Sequence, residues 1–160
     1  FPGIMYRSGA EQKIRKYLID NNYVDTVIQL PDNLFFGVSI ATCIIVLKKS
    51  KNDNAILFID ASKEFSHVGN KNKLLPENIQ HILDSFIERK DSKYFAHLVK
   101  NTDIAENDYN ISVSSYVEQE DTREKVNIRE LNARIAKMVE KENELRQSID
   151  EIIKDLEGEA

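Results

Sequence analysis

Two apolar runs joined by a short aromatic loop constrain the fold of this chain more than any other feature. Residues 24–30 and 42–47 are rich in valine, isoleucine and leucine, and β-branched side chains favour extended strands. A continuous apolar run is typical of a strand covered on both faces, so we expect the second run inside a sheet. The loop between the two runs carries Phe35 and Phe36.

The first residues predict a chain that begins within a strand. The chain starts at Phe1 without an initiator methionine, and residues 4–6 read as the end of a strand, so we expect a fragment of a longer polypeptide. Residues 10–21 follow a helical pattern, and Ser8 and Glu11 have the spacing of a capping box. With the first apolar run, this predicts a strand–helix–strand crossover onto a parallel sheet.

Further elements follow the two apolar runs. The side chains expected on the buried side of the first helix are Ile14, Leu18 and Tyr17. Ala55–Asp60 predicts a third strand, antiparallel to its predecessor because the connection is too short for a crossover. Residues 63–73 are polar and predict a loop.

The next segment predicts a second helix and several short elements. The helix begins near Pro76, a residue that suits a first turn, and its apolar positions are Ile79, Ile82, Leu83 and Phe86. Residues 94–99 are read as a short helical or extended piece, 103–106 as one turn, and 109–113 as a short strand.

The last part of the chain predicts one long helix with a heptad pattern. It runs from Asn127, which with Glu130 makes a plausible cap, to about residue 157. Apolar residues recur at alternating spacings of three and four, interrupted by Glu142, and they are Ile128, Leu131, Ile135, Met138, Leu145, Ile149, Ile152 and Leu156. This coiled-coil pattern requires a partner helix in this chain, in another copy or in another protein.

Composition excludes some classes of function. The net charge of −5 argues against nucleic-acid binding by bulk electrostatics alone, although local basic loops can still contact phosphate. No run is long and apolar enough for a membrane span, no signal pattern opens the chain, and Cys43 is the single cysteine. These features predict a cytoplasmic protein in a reducing compartment.

Few residues predict catalytic chemistry. There is no glycine-rich phosphate loop and no metal-ligand spacing among the three histidines, so no metal site is expected. Asp60 at a strand end could be a catalytic carboxylate, but a turn-forming role is favoured. Phe35 is either a packing residue or a platform for a displaced base, and Lys71 and Lys73 either contact phosphate or belong to a solvated loop.

Several segments in a fixed order resemble a known family. They are YRSGAEQKIRKYLIDNN, VDTVIQLPDNLFFGVSIATCIIVLKKSK, AILFIDASKEF, GNKNKL and IAENDYNISVSSYV, followed by the helical tail. Over residues 4–157 the chain resembles the C-terminal part of the modification (methyltransferase) subunit of type I restriction–modification systems.

This resemblance implies an N6-adenine DNA methyltransferase that uses S-adenosylmethionine. It implies the C-terminal portion of a Rossmann-like class I methyltransferase sheet, mixed with antiparallel strands, followed by a long coiled-coil-type helix. In this family the cofactor pocket and an Asn/Asp-Pro-Pro-Phe/Tyr motif lie upstream of the matching region, and this chain has no Pro-Pro pair. The resemblance therefore implies that the chain alone binds no cofactor and is inactive.

The resemblance also assigns roles to residues. Phe35 matches the aromatic position that packs against a flipped adenine, and Phe36 is the neighbouring candidate. The tail matches the region that packs against the DNA-specificity subunit, in a complex that also holds a restriction subunit and double-stranded DNA. A homodimer through the tail is the alternative pairing.

Three segments with different roles are expected. Residues 1–100 belong to the methyltransferase α/β domain, 101–126 connect, and 127–158 form the assembly helix. The competing hypothesis is a non-catalytic interaction module that docks through the same helix.

Overall fold

The computed structural model describes residues 2–120 and 127–158, and it divides into two compact units after Glu120. The first unit is a mixed α/β fold, and the second contains one long helix. The coarse prediction of a mixed α/β fold followed by a long helix is therefore confirmed. Among the described residues, no helix is both long and apolar enough to cross a membrane.

A four-stranded sheet organises the first unit. The six strands of the chain are Val24–Gln29 (β1), Cys43–Leu47 (β2), Ala55–Asp60 (β3), Ser66–Val68 (β4), Lys71–Lys73 (β5) and Ala96–Lys100 (β6). The main sheet has the order β2-β1-β3-β6, while β4 and β5 form a separate hairpin. β1 and β3 are parallel, and each outer strand is antiparallel to its neighbour. The strands predicted at residues 24–30, 42–47 and 55–60 are confirmed.

The strand that is covered on both faces is β3. Its alternate side chains, such as Leu57 and Phe58, enter two hydrophobic clusters on opposite faces of the sheet. The prediction that residues 42–47 lie inside a sheet is wrong, because within the described residues β2 pairs on one side only. Ile44 and Leu47 of this edge strand are exposed. The buried places beside β3 are taken by β1 and β6.

The connection from β2 to β3 crosses the end of β1. β3 runs antiparallel to β2, as predicted, but its partner in the sheet is β1. The buried Lys51 ammonium donates to the backbone oxygens of Val24, at 2.7 Å, and of Ala55. These bonds join the starts of β1 and β3, and burial lowers the pKa of Lys51.

The N-terminal residues form a 3₁₀ helix, Pro2–Met5, so the predicted strand at residues 4–6 is wrong. Consequently no strand–helix–strand crossover opens the described chain. The first helix, α1, spans Ala10–Asp20, close to the predicted bounds. Its N-cap is Gly9 at φ 91°, a left-handed conformation that favours glycine, and no side chain caps the helix. The predicted capping box that starts at Ser8 is therefore also wrong.

The buried face of α1 differs from the prediction by one position. Arg15 and Ile19 are buried, whereas Ile14 and Tyr17 are exposed. Leu18 is partly buried against the core, as predicted. The buried face of α1 is rotated relative to the prediction because Arg15, and not an apolar residue, lies at its centre.

Arg15 acts as a connector between distant backbone segments. Its guanidinium donates from Nε to the carbonyl of Tyr109 at 2.7 Å, from Nη1 to Ile4 at 2.7 Å, and from Nη2 to Arg7 at 2.8 Å. These bonds explain why the N-terminal residues fold as a turn instead of continuing as a strand. The fixed fork of the guanidinium suits this task because its donors point in several directions.

The segment predicted as a polar loop at 63–73 contains the hairpin of β4 and β5, with Gly69 in its turn at φ 63°. The second helix, α2, spans Pro76–Glu88 with proline in its first turn, as predicted. Ile82 and Phe86 of this helix pack against the cluster on its face of the sheet.

The remaining short elements are mostly as predicted. Residues 94–99 contain the start of β6, and the predicted turn is part of α3, Asn101–Glu106. The predicted strand at 109–113 is wrong: Tyr109 has φ 56°, which no strand allows, and a 3₁₀ helix follows at Val113–Ser115. This segment packs beneath the sheet, where the ring of Tyr116 stacks on Phe58 with ring centroids 4.4 Å apart.

The last helix, α4, spans Ile128–Gly158 and confirms the predicted helix. Asn127 caps it, because its Oδ1 accepts from the backbone N–H of Arg129 at 3.2 Å. The predicted seam residues are all exposed. Pairing in a coiled coil stays a prediction.

Arg15→Met should lower the free energy of unfolding by about 3 kcal/mol, because three carbonyls lose a charged donor. Urea denaturation followed by circular dichroism measures this change. Lys13→Met on the exposed side of the same helix is the matched control, expected within about 0.5 kcal/mol of the unchanged chain. Equal stability of the two variants would contradict the connector role.

Candidate nucleic-acid interface

The aromatic loop and the small hairpin lie at the same edge of the sheet. The loop follows the carboxyl end of β1, and the hairpin follows the carboxyl end of β3. These two strands are parallel and adjacent, so their carboxyl ends meet. In open α/β sheets this edge is the usual position of ligand sites. The base of the loop is closed by a bond from Leu30 N to Thr42 O of 2.8 Å.

Both phenylalanine rings of the loop are accessible. Phe36 is 99% exposed, and Phe35 is 49% exposed. The turn between them and the second strand is closed by a 3.2 Å bond from Val38 N to Phe35 O, and Gly37 has φ 73°. A fully exposed ring gains nothing from burial, so Phe36 does not contribute to the hydrophobic core.

The hairpin brings a cation to these rings. Lys71 donates from Nζ to the carbonyl oxygen of Phe35 at 3.2 Å, and the same Nζ lies 5.9 Å from the ring centroid of Phe36. Lys73 is exposed two positions further along β5, on the same face of that strand. The structure thus brings together Phe35, Phe36 and Lys71, with Lys73 nearby on the same strand.

Asn72 fastens the hairpin to the loop, and the sequence analysis did not identify it. The residue is 5% exposed, and its Nδ2 donates to the carbonyl oxygen of Asp32 at 2.9 Å and to its Oδ1 at 3.0 Å. Its backbone N–H donates to Asn33 O at 3.2 Å. Asparagine is depleted in strands, so an asparagine at the centre of a short strand was the available signal.

Asp60 and two further polar residues of the first unit have environments that are explained without a ligand. Asp60 Oδ1 accepts from Ser62 N at 3.0 Å, the pattern of a turn-forming aspartate. His81 Nδ1 lies 2.9 Å from Glu64 Oε1, and its ring stacks on Phe95. Burial raises the pKa of the Cys43 thiol, which favours its neutral form. Within residues 2–120 and 127–158, no cluster of three or more His, Cys, Asp or Glu has metal-binding geometry.

A cavity of about 520 Å³ lies at the opposite edge of the sheet. Its lining includes Ala55 at the amino end of β3 and Lys100 at the end of the antiparallel β6. This cavity is therefore separate from the aromatic loop, which lies at the carboxyl ends of β1 and β3.

Comparison with known proteins identifies related sequences. The family model described as N-6 DNA Methylase matches residues 1–125. The type I restriction enzyme MpnII methylase subunit of Mycoplasma pneumoniae is 47% identical over 98% of this chain and 29% of its own length. The MjaVII methylase subunit of Methanocaldococcus jannaschii is 34% identical over 98% of this chain and 28% of its own length.

A solved structure agrees with these sequence matches. The type I restriction–modification system methyltransferase subunit from Streptococcus thermophilus superposes with a TM-score of 0.71 at 44% identity. The match covers 73% of this chain and 25% of that structure. The chain thus spans under a third of the length of these three relatives.

Asn72→Ala should lower the free energy of unfolding by about 1–2 kcal/mol, because it removes the buried donor to Asp32. Chemical denaturation of the purified chain measures the loss. Asn70→Ala, an exposed neighbour in the hairpin turn, is the control and should leave stability unchanged. If Asn72→Ala unfolds at the same denaturant concentration as this control, the bonds from Asn72 to Asp32 contribute no stability.

Proposed function

Because the chain belongs to the N-6 DNA methylase family, we propose that it is part of a DNA adenine-N6 methyltransferase subunit of a type I restriction–modification system. The family match over residues 1–125 and the two methylase relatives support this proposal. Its substrate is a DNA adenine, and the methyl donor of the longer protein is S-adenosylmethionine.

The proposed contribution of the first unit is a platform for a displaced base. An enzyme that modifies a base inside a duplex must extrude it, and an exposed aromatic ring can stack on it. The observation that most directly supports this role is the ring of Phe36, which is 99% exposed and lies beside Lys71. Exposure favours Phe36, whereas the resemblance favours Phe35, and both rings project from the same short loop.

Two lysines are placed to support this contact. Lys71 and Lys73 lie on one strand beside the loop, where their ammonium groups can approach the phosphates that flank an extruded nucleotide. Phosphate contacts position a duplex without reading its sequence. The net charge of −5 is a property of the whole chain and does not prevent two neighbouring lysines from contacting phosphate.

We assign no step with S-adenosylmethionine to this chain. The cavity of about 520 Å³ lies at the amino end of β3, away from the edge where open α/β sheets bind ligands. At the carboxyl end, Asp60 is occupied by the backbone N–H of Ser62. The sequence also has no Pro-Pro pair. We therefore expect the chain alone to be inactive.

The proposed contribution of α4 is assembly. Its eight apolar seam residues are exposed, which supports docking against the DNA-specificity subunit within a complex that also holds the restriction subunit. The same observation supports the second candidate function, a non-catalytic interaction module. The two proposals differ in whether the aromatic loop affects methylation in the longer protein.

Phe35→Ala and Phe36→Ala should each be made in the longer methylase subunit, assembled with its specificity subunit. Loss of the stacking ring should reduce methylation about 5- to 150-fold, since stacking on a base is worth about 1–3 kcal/mol. Transfer of a labelled methyl group to unmethylated genomic DNA measures this rate. The variant with the larger loss identifies the platform residue.

Two controls make the test specific. Substitution of the identified phenylalanine by Trp should retain activity, because a larger ring still stacks. Tyr6→Ala removes an exposed aromatic residue of the first unit outside the loop and should leave the rate unchanged. Normal methylation by both alanine variants would refute the platform role and favour the interaction module.

The assembly role predicts that Ile135→Asp combined with Ile149→Asp abolishes binding to the specificity subunit or self-association. Two carboxylates in the seam would have to be desolvated on pairing, which costs several kcal/mol. Co-purification and analytical ultracentrifugation measure binding and self-association. Ala133→Asp with Gln147→Asp, on the opposite face of the same helix, is the matched control. Assembly that persists in the seam variant would contradict the proposal.

A further inference from the structure

The flanks of the α4 seam carry mainly basic charges. In the heptad that places Ile135 and Ile149 at a positions and Leu145 at a d position, the flanking e and g positions from 132 to 153 can be read directly. They hold Asn132, Arg134, Val139, Lys141, Arg146, Ser148 and Ile153. Three of these residues are basic and none is acidic, and the one acidic g position of the seam is Asp155 at its end.

The acidic residues of this region occupy other faces. Glu130, Glu140, Glu144, Asp150 and Glu151 stand at the b, c and f positions, away from the seam. All five are exposed. From position 132 to 153 the charges beside the apolar stripe are therefore basic, although the helix carries both signs over its surface.

These basic flanks, together with Glu142, disfavour pairing with a second copy. At full overlap a parallel pair places Lys141 of one helix beside Arg146 of the other, twice by symmetry. An antiparallel pair centred on the same region places Glu142 of each helix opposite Leu145 of the other, which leaves the carboxylate in the seam without a partner. In the parallel pair the a-position Glu142 would also face its own copy, and like charges at these positions select against a pairing.

We propose that the α4 seam is built for a partner helix whose e and g positions are acidic, and not for a second copy of this chain. The acidic flanks of that partner would pair with Arg134, Lys141 and Arg146 around the shared apolar stripe. The partner position opposite Glu142 is polar or basic, because an apolar residue there would leave the carboxylate unpaired. This inference rests on the assembly role proposed above and specifies the chemistry of the partner.

Two synthetic helical peptides test the charge rule with the full 160-residue chain. Both carry the same Ile/Leu heptad seam with a lysine opposite Glu142, and they differ only in having glutamate or lysine at every e and g position. Fluorescence anisotropy should show about tenfold tighter binding of the acidic peptide, since its glutamates pair with the basic flanking residues that the lysines of the other peptide repel. Added salt should reduce this difference.

Charge reversal in the chain itself provides a more specific test of the charge rule. Lys141→Glu combined with Arg146→Glu should weaken the acidic peptide and strengthen the basic one. Lys137→Glu combined with Lys154→Glu changes net charge equally on the outer faces of the helix and should leave the preference unchanged. Circular dichroism of each variant confirms that the helix is retained.

The state of the chain alone provides an independent measurement. Sedimentation should show a monomer at the concentrations used for binding, and Glu142→Leu should increase self-association by about tenfold because it completes the seam. Equal affinity for the two peptides, or a wild-type dimer tighter than the acidic complex, would overturn the inference.

The two proposals fail in different ways. If the chain prefers the acidic peptide but does not bind the specificity subunit, the assembly role is wrong and the charge rule stands. If it binds that subunit through the seam without preferring either peptide, the charge rule is wrong and the assembly role stands.

Discussion

The parallel pairing of β1 with β3 is the constraint on which the rest of the first unit depends. Because both strands point the same way, the segments that leave them emerge at one edge, and the aromatic loop and hairpin become neighbours. The connection from β2 must then pass across the other end of β1, where Lys51 holds it. In the same arrangement β1 and β6 pair with the two sides of β3. Both faces of β3 are covered by hydrophobic clusters.

Two buried polar side chains then fix segments that the hydrophobic effect leaves free. Apolar burial is non-directional and does not determine where a turn or a hairpin must lie. The guanidinium of Arg15 supplies direction at the N-terminal turn, and the amide of Asn72 supplies it at the aromatic loop. Each bonds to backbone oxygens, so the partner segments need no particular side chains to be held. The site is accordingly a loop attached to a rigid sheet.

The sequence predicted the elements whose signal is local. The apolar runs of β1 and β3, the helical spacing of α2 and the heptads of α4 each lie within one short window of sequence. The sequence could not indicate that Arg15 bonds to Tyr109, because those residues are 94 positions apart and a side chain to carbonyl bond leaves no pattern. The same applies to Asn72 and Asp32 across 40 positions. The edge position of β2 was missed because composition reports apolarity and not the number of neighbouring strands.

The edge strand β2 has a practical consequence for handling the purified chain. Within the described residues, one side of β2 has no neighbouring strand, and Ile44 and Leu47 are exposed beside it. Such an edge is a template for strand addition, the first step of β-type aggregation. Lys48 and Lys49 follow immediately and act as charged gatekeepers at one end only. Colloidal stability will therefore be higher at low ionic strength, where the charges of these lysines are weakly screened.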